Sequence, residues 1–536
     1  MLKLHRKAFW FSLLVSLTLL AVWLLYVPYR PNRLYCAIPA EAQLVSIHHN
    51  LAARWPALMQ NPLLQSVATS MGVEPAALQS LAGDPAVLAW VRRLAERELI
   101  VAYTPRLGGT QAPAWVLASW LGGRSQRLRW QLAWMKVPGL VRHAPHAGTP
   151  YWTVQVKELK PGLTLSLALV EGLLIGCLSA DNTAMLDLLE TYDGRRPSLA
   201  AVRRTKITDF WCLDPAAPDH GWMDLDALRG PSGSSNRLPA VKYSLAAIEA
   251  GYARGNICVP SSWPPIKAGA KPMEAGGLDR LLGDLPLAAA LVRPQSLLAI
   301  VEAQAGLEWG GLLAALVTAQ RSDSIMLALL SGDYGGRLYG FRVPALIAAL
   351  PVKDGPAMLP VVKAVLDRLN ARQGWGLIPH DVRVGARSVF AVEGTAQNPF
   401  SDLPLEERPA YAICDNWLLV SSSLRSLTNL IARYDLPAAA AQAGDARWTD
   451  GLDRARGAAY GWIDLARAQK ETRLIVATYS LKLLLEDPRK SQAQRQQLNV
   501  LTAWMEALAP LGQTKLWLTA DGQMTAVQFE IGRPPK

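Results

Sequence analysis

Hydrophobic residues along this chain fall into three patterns, and each predicts a different kind of element. The first is an unbroken uncharged run from Ala8 to Val27, AFWFSLLVSLTLLAVWLLYV, relieved only by Ser12, Ser16 and Thr18. About 20 consecutive apolar residues are what a helix needs to cross the hydrocarbon core of a bilayer. Residues 8–28 are therefore expected to form a transmembrane anchor, with 1–7 as a cytoplasmic N-terminus. Lys3, His5, Arg6 and Lys7 precede the run and Arg30 and Arg33 follow it, and the basic excess on the N-terminal side favours that orientation. A cleaved signal peptide is the rival, but the run ends in Tyr-Val-Pro-Tyr-Arg rather than a small-x-small site. Cys36, in Arg-Leu-Tyr-Cys, lacks the small residues of a lipoprotein site. The expected placement is a single pass through the inner (cytoplasmic) membrane, with the bulk of the chain extracytoplasmic.

The second pattern has a period of two. Trp152, Val154 and Val156 alternate with Thr153, Gln155 and Lys157, Pro161-Gly162 turns, Leu163, Leu165, Leu167 and Leu169 alternate again, and Glu171-Gly172 turns into Leu173–Ser179. This spacing predicts a three-strand antiparallel meander. The chain closes on another predicted hairpin, Lys515–Thr519, a turn at Asp521-Gly522, then Val527, Phe529 and Ile531 on one face. The third pattern is helical: Met185, Leu188, Leu189 and Tyr192; Leu427, Leu430, Ile431 and Tyr434; and a longer stretch at Met358–Leu369. Antiparallel meanders with interspersed amphipathic helices predict an α+β class in which each sheet buries one face under helices.

The order of these patterns repeats. Gly221-Trp222-Met223-Asp224-Leu225 matches Gly461-Trp462-Ile463-Asp464-Leu465, and Glu171-Gly172-Leu173-Leu174-Ile175 matches Asp415-Asn416-Trp417-Leu418-Leu419, each of the latter pair leading into a helix that ends in Tyr-Asp. A weaker match sets Gln43–Ile47, with Trp55 downstream, against Leu297–Val301 with Trp309. The expected organisation is two similar lobes, a first repeat at 35–258 and a second at 287–536, joined by a Pro/Gly-rich linker at 259–286. The first copy shows no clear equivalent of the closing hairpin after Asp224.

An N-terminal anchor, a Pro-Ala-Glu-Ala-Gln-Leu-Val-Ser-Ile opening at 39–47 and a recurring turn–strand–helix unit resemble the bacterial membrane-anchored envelope proteins built on a duplicated domain of unknown function. The resemblance covers most of the chain beyond the anchor. It implies an extracytoplasmic α+β protein and carries over no catalytic residue.

Composition narrows the function classes. Hydrophobic residues are 51% of the chain and charged residues 18%, which excludes disorder. The net charge of +12 includes Lys3, Arg6, Lys7, Arg30 and Arg33 at the acid-free start, leaving +7 on the rest and no basic run of the nucleic-acid-binding kind. The densest cluster, Arg124, Arg127 and Arg129, reads as a solvated face rather than an anion site. Five cysteines without CxxC spacing exclude zinc and thioredoxin-like chemistry. If one bridge forms, Cys177 and Cys212 are the expected pair, with free buried thiols the competing expectation. Tryptophan outnumbers phenylalanine 19 to 7. Trp115, Trp120, Trp152, Trp417 and Trp517 lie in strand patterns and are expected in the core. Trp130 and Trp134 are also expected to pack, the alternative being an exposed aromatic–basic face for a glycan, lipid or protein.

Candidate chemistry is sparse. His143 and His146 have an HxxH spacing, but Pro145 places them in a loop without a third ligand. His48 and His49 follow one another in a predicted strand and should point to opposite faces, so a structural role is expected. Asp214 to His220 is the most chemically varied stretch, and Asp219, His220 and Asp224 form the one conceivable carboxylate–imidazole constellation. Asp224 recurs as Asp464, for which helix capping is the plainer role; capping also accounts for Ser421-Ser422-Ser423. There is no Gly-x-Ser-x-Gly elbow, Walker A loop or GxGxxG fingerprint. No catalytic, cofactor-binding or metal residue is therefore assigned.

The expectation is a non-enzymatic, membrane-tethered binding or scaffold protein of the bacterial cell envelope. Its contacts would be membrane lipid through the N-terminal helix and a protein or envelope-component partner, without nucleic acid or nucleotide, and a groove between the lobes is the natural ligand site. The alternatives are an envelope hydrolase acting on cell-wall or lipid material through Asp219, His220 and Asp224, and a structural subunit of a larger membrane complex.

Overall fold

The structure, a computed structural model, describes residues 10–19, 27–62, 83–105, 112–134, 139–155, 163–203, 213–224, 240–260, 281–298, 324–333, 337–338, 341–395, 401–435, 447–485 and 508–532. Within these, 215, 250, 402, 456, 521 and 522 are excepted, and isolated residues between the segments are also described. The fold is α+β and dominated by antiparallel sheet. It divides into two compact units: residues 1–60, 76–247 and 256–259, and residues 61–75, 248–255 and 260–536.

The first unit begins with β1 (Leu44–His49), β2 (Glu98–Thr104), β3 (Ala114–Trp120), β4 (Leu140–Arg142) and β5 (Tyr151–Gln155). It continues with β6 (Thr164–Val170), β7 (Leu173–Ser179), β8 (Asp219–Asp224) and β9 (Ala240–Glu249, up to Ala247), while β10 (Tyr252–Pro260) is divided, with only 256–259 counted in this unit. Its sheet runs β4-β5-β6-β7-β3-β2-β1-β8-β9 with every neighbour antiparallel. The predicted meander is β5–β6–β7, although its Pro161-Gly162 turn lies outside the described residues. Both Glu171 and Gly172 have positive φ, 44° and 90°, as a two-residue hairpin loop with right-handed strand twist requires.

One face of this sheet, with Val45, Ile47, Ile100, Val116 and Ile175, packs on helices Pro31–Cys36, Ala184–Tyr192 and Leu199–Arg203 through Leu34, Met185, Leu188, Leu189 and Leu199. The other face is covered too. Trp152, Leu169 and Leu174 lie beneath Leu94 of helix Pro85–Leu94 and Leu128 and Leu132 of helix Arg124–Trp134. The expectation of one buried face fails here because β7, LLIGCLS, is apolar on both sides, and such a strand needs a cover on each.

The second unit contains β11 (Pro286–Val292), β12 (Ile325–Leu330), a small ribbon of β13 (Arg337–Leu338) and β14 (Phe341–Arg342), β15 (Ala345–Pro351) and β16 (Ile378–Val384). It then has β17 (Arg387–Glu393), β18 (Ala410–Cys414), β19 (Trp417–Ser421), β20 (Ala459–Asp464), β21 (Gln513–Ala520) and β22 (Met524–Gly532). The sheet order is β16-β17-β18-β19-β15-β12-β11-β20-β21-β22, again antiparallel throughout. Helix Leu424–Tyr434 packs one face through Leu427, Leu430 and Ile431, and helix Met358–Gln373 covers the other through Met358 and Leu366.

Several expectations need correction. A hairpin does follow Asp224, since β9 pairs with β8 and β10 with β9; β9 hides it because most of its residues are only half-buried and show no alternation. The strand beside β20 is Pro286–Val292, not Leu297–Val301; Leu297 lies in a helical turn, and 299–301 and Trp309 are outside the described residues. Met273, Leu281, Leu282 and Leu285, inside the expected linker, are buried in the second unit's core. Cys177 is a free buried thiol, as is Cys414; Cys36 is free and Cys258 is disulfide-bonded. The remaining cysteine, Cys212, is outside the described residues. Trp115 is 39% exposed, while Trp120, Trp152 and Trp517 are in the core.

Of the run Ala8–Val27, residues 10–19 and Val27 are described. Residues 10–19 are helical and every one is exposed. Among the described residues no helix is long and apolar enough to cross a membrane. Val27 itself lies on folded structure: a Cβ added at Gly172 would stand 2.7 Å from its Cγ1 and 3.0 Å from Cη2 of Trp120.

That close approach predicts a measurable contrast in urea denaturation. Gly148 is also left-handed but has open space around it, so Gly148→Ala should cost only the conformational penalty of about 1–2 kcal/mol. Gly172→Ala should cost that and a further ~1–3 kcal/mol of overpacking against Val27 and Trp120. Equal losses would contradict the contact.

Candidate functional site

Alternation along β1 sends Val45 and Ile47 into the core and leaves Ser46 and His48 on the opposite face. β8 brings Asp219 opposite His48 and Gly221 opposite Ser46, and β9 brings Tyr243 opposite Gly221. A Cβ at Gly221 would meet the Tyr243 hydroxyl at 3.0 Å. Glycine there lets the phenol reach past β8 and donate to Ser46 Oγ at 2.7 Å.

Ser46 Oγ is 2.9 Å from His48 Nε2, and His48 Nδ1 is 2.7 Å from Asp219 Oδ1. Arg54, on helix Leu51–Gln60, grips the same carboxylate with both terminal nitrogens, Nη2 lying 2.7 Å from Oδ1, and Nη2 also donates to the His49 carbonyl at 2.8 Å. The Asp219 side chain is only 3% exposed. Burial by itself would raise its pKa, but the hydrogen bonds from Arg54 and His48 outweigh burial and hold it below the usual carboxylate range. Burial pushes the Tyr243 phenol up to about 12, against the opposing hydrogen bond to Ser46, so it remains a neutral donor.

An ionised Asp219 can only accept, so His48 donates to it from Nδ1, and Nε2 is the ring nitrogen that faces the Ser46 hydroxyl. The order Tyr243–Ser46–His48–Asp219 is the connectivity of a general-base relay onto a serine oxygen. In the second unit, Gly461 sits between Ala290 and Leu516, and Val292 faces Ala459, so the corresponding surface there is apolar.

The Asp219–His220–Asp224 constellation of the alternative hydrolase reading does not form. Adjacent strand residues project to opposite faces, so His220 stacks on His49, ring centroids 5.5 Å apart, while Asp219 meets His48. Asp224 lies an odd number of positions from Asp219, on the far face. His48 and His49 do point to opposite faces, and the i, i+2 spacing of Ser46 and His48 puts these two on the same face of β1. His143 and His146 do not converge. His143 bonds Thr153 Oγ1 at 2.8 Å and stacks on Tyr151, whereas His146 is 3.5 Å from Glu190. Among the described residues no group of His, Cys, Asp and Glu could hold a metal ion. Asp464 does cap helix Leu465–Leu485, accepting from Arg467 N at 3.0 Å, and Ser423 caps helix Leu424–Tyr434 through Ser426 N at 3.1 Å. Residues 225–239, which follow Asp224, are outside the described ones.

The first unit also carries a groove of about 1170 Å³ among helices Leu51–Gln60, Pro85–Leu94 and Arg124–Trp134. Its lining includes Leu88, Leu94, Leu121, Leu128 and Leu132 and the arginines Arg92, Arg93, Arg124 and Arg127, with Glu96 the one carboxylate in that lining, ion-paired with Arg124. Trp130 and Trp134 are not core residues: they are 49% and 84% exposed, and Trp90 is 52% exposed.

Because Asp219 titrates lower in the folded state, its contribution is present above the ordinary carboxylate pKa and lost as pH falls through the folded one. Asp219→Asn should cost about 3–5 kcal/mol at pH 7, where it strands a half-buried Arg54. The gap from wild type should narrow below about pH 4. Chemical denaturation across that range checks it; a gap unchanged down to pH 3 would contradict the pairing.

No protein-family model, curated protein or solved structure matches this chain.

Proposed function

We propose that this chain is a membrane-tethered, extracytoplasmic binding protein of the bacterial cell envelope, built from a duplicated α+β domain, which holds a partner rather than transforming a substrate. The observation that carries the reading is the exposed apolar helix at 10–19, together with Val27, the last residue of the same apolar run, which rests on Trp120 and Gly172 of the folded unit. An apolar helix exposed on every side is stable in hydrocarbon and costly in water. A disulfide at Cys258 fits an oxidising compartment.

Support for duplication comes from topology. Strand for strand, β4-β5-β6-β7-β3-β2-β1-β8-β9 reads as β16-β17-β18-β19-β15-β12-β11-β20-β21, each followed by one more hairpin strand. A tie recurs as well. Tyr192, ending its helix, donates to Glu171 at 3.4 Å beneath Arg33, and Tyr434 donates to Asp415 at 2.9 Å beneath Arg387. The mixed apolar and arginine lining of the first unit's groove supplies a binding surface.

Two measurements test this. The full chain should resist alkaline extraction from membranes, and protease added to spheroplasts should digest everything beyond the anchor. Release into the soluble fraction, or protection from external protease, would exclude the reading. A second reading, an envelope serine hydrolase, is favoured by the Ser46–His48–Asp219 connectivity. It requires that a fluorophosphonate probe label the full chain and that Ser46→Ala abolish labelling; wild-type protein that stays unlabelled removes it.

A further inference from the structure

We propose that helices Pro85–Leu94 and Arg124–Trp134 form a face that lies on the anionic phospholipid surface of the membrane holding the tether; this rests on the tethered reading above. Arg127, Trp130 and Trp134 fall at i, i+3 and i+7, opposite the half-buried Leu128 and Leu132, which pack on the sheet. The neighbouring helix adds Trp90, stacked with Arg93 whose Cζ is 5.6 Å from the ring, and Arg92. Indole rings at 49–84% exposure, interleaved with arginines, are out of place in bulk water. They suit the headgroup layer, where the ring meets acyl carbon and the guanidinium meets phosphate.

The tether reaches this same corner. Tyr29 packs edge-on against Trp120 at 5.3 Å, and Arg97 lies over the Tyr29 ring at 5.7 Å. The next residues along, Leu121 and Glu96, line the arginine groove. Leu121 N also bonds Gly172 O at 2.8 Å, beside Val27. A chain that leaves the bilayer at Val27 therefore emerges beside the helix pair. Among lining residues four arginines face one carboxylate, so the charge complement is an anionic surface.

The test uses the full chain in lipid nanodiscs, with hydrogen exchange read over residues 85–97 and 124–134. Exchange should be slower on discs containing phosphatidylglycerol than on phosphatidylcholine discs. Each basic side chain near an anionic surface raises partitioning about fivefold, so Arg92→Glu/Arg93→Glu/Arg127→Glu should abolish the difference. Trp134→Ala, at a site 84% exposed, reduces it without touching the core. Equal exchange on both discs, or protection that appears only with added protein, overturns the proposal. A chain that enters neither disc overturns the tethered reading and this proposal with it.

Discussion

The contact on which the rest depends is the seat that Trp120 and Gly172 make for Val27 and Tyr29. It has a polar lock beneath it: Glu98, 2% exposed, accepts from the Tyr29 hydroxyl and, at 3.0 Å, from that of Tyr35. A buried carboxylate is tolerable only when its oxygens are hydrogen-bonded, so both tyrosines are held against the start of β2. The end of the apolar run thus has a fixed address on the first unit. The left-handed turn at Glu171-Gly172, the T-shaped Tyr29–Trp120 pair and the start of helix Arg124–Trp134 all meet at that address.

The polar network and the arginine-lined groove both belong to the first unit, on which the end of the apolar run is seated. The polar chain Tyr243–Ser46–His48–Asp219–Arg54 crosses three strands and one helix. In the second unit the same register is filled by Leu516, Ala290, Val292 and Ala459. A half-satisfied buried polar network is worse than an apolar one, so a sheet retains such a network whole or not at all. The two units represent those two solutions on one strand order. The outer helices differ in parallel: Met358–Gln373 buries Met358 and Leu366, whereas Arg124–Trp134 turns its tryptophans outward.

Local periodicity was legible and long-range register was not. Alternation located β5, β6 and β7, and 3.6-residue spacing located Met185–Tyr192 and Leu427–Tyr434, because each is decided by which side chains a single element buries. The caps at Ser423 and Asp464 were legible for the same reason. The Ser46–His48–Asp219 network joins positions 171 residues apart through the pairing of β1 with β8, and nothing in either strand alone announces it. Adjacency in sequence instead pointed to Asp219 and His220, which a strand necessarily separates. The bonded cysteine was hidden likewise: Cys177 sits in a strand with both faces buried, while Cys258 lies in a hairpin strand that alternation did not reveal.

The central claim is that the seat on Trp120 turns the arginine–tryptophan helices toward the membrane. Cryo-electron microscopy of the full chain in a phosphatidylglycerol-containing nanodisc tests it most directly. The account predicts helices Pro85–Leu94 and Arg124–Trp134 within about 10 Å of the headgroup plane, on the side of the first unit from which residues 27–29 leave. Those helices facing away from the disc, with the chain entering the bilayer from another side of that unit, would contradict it.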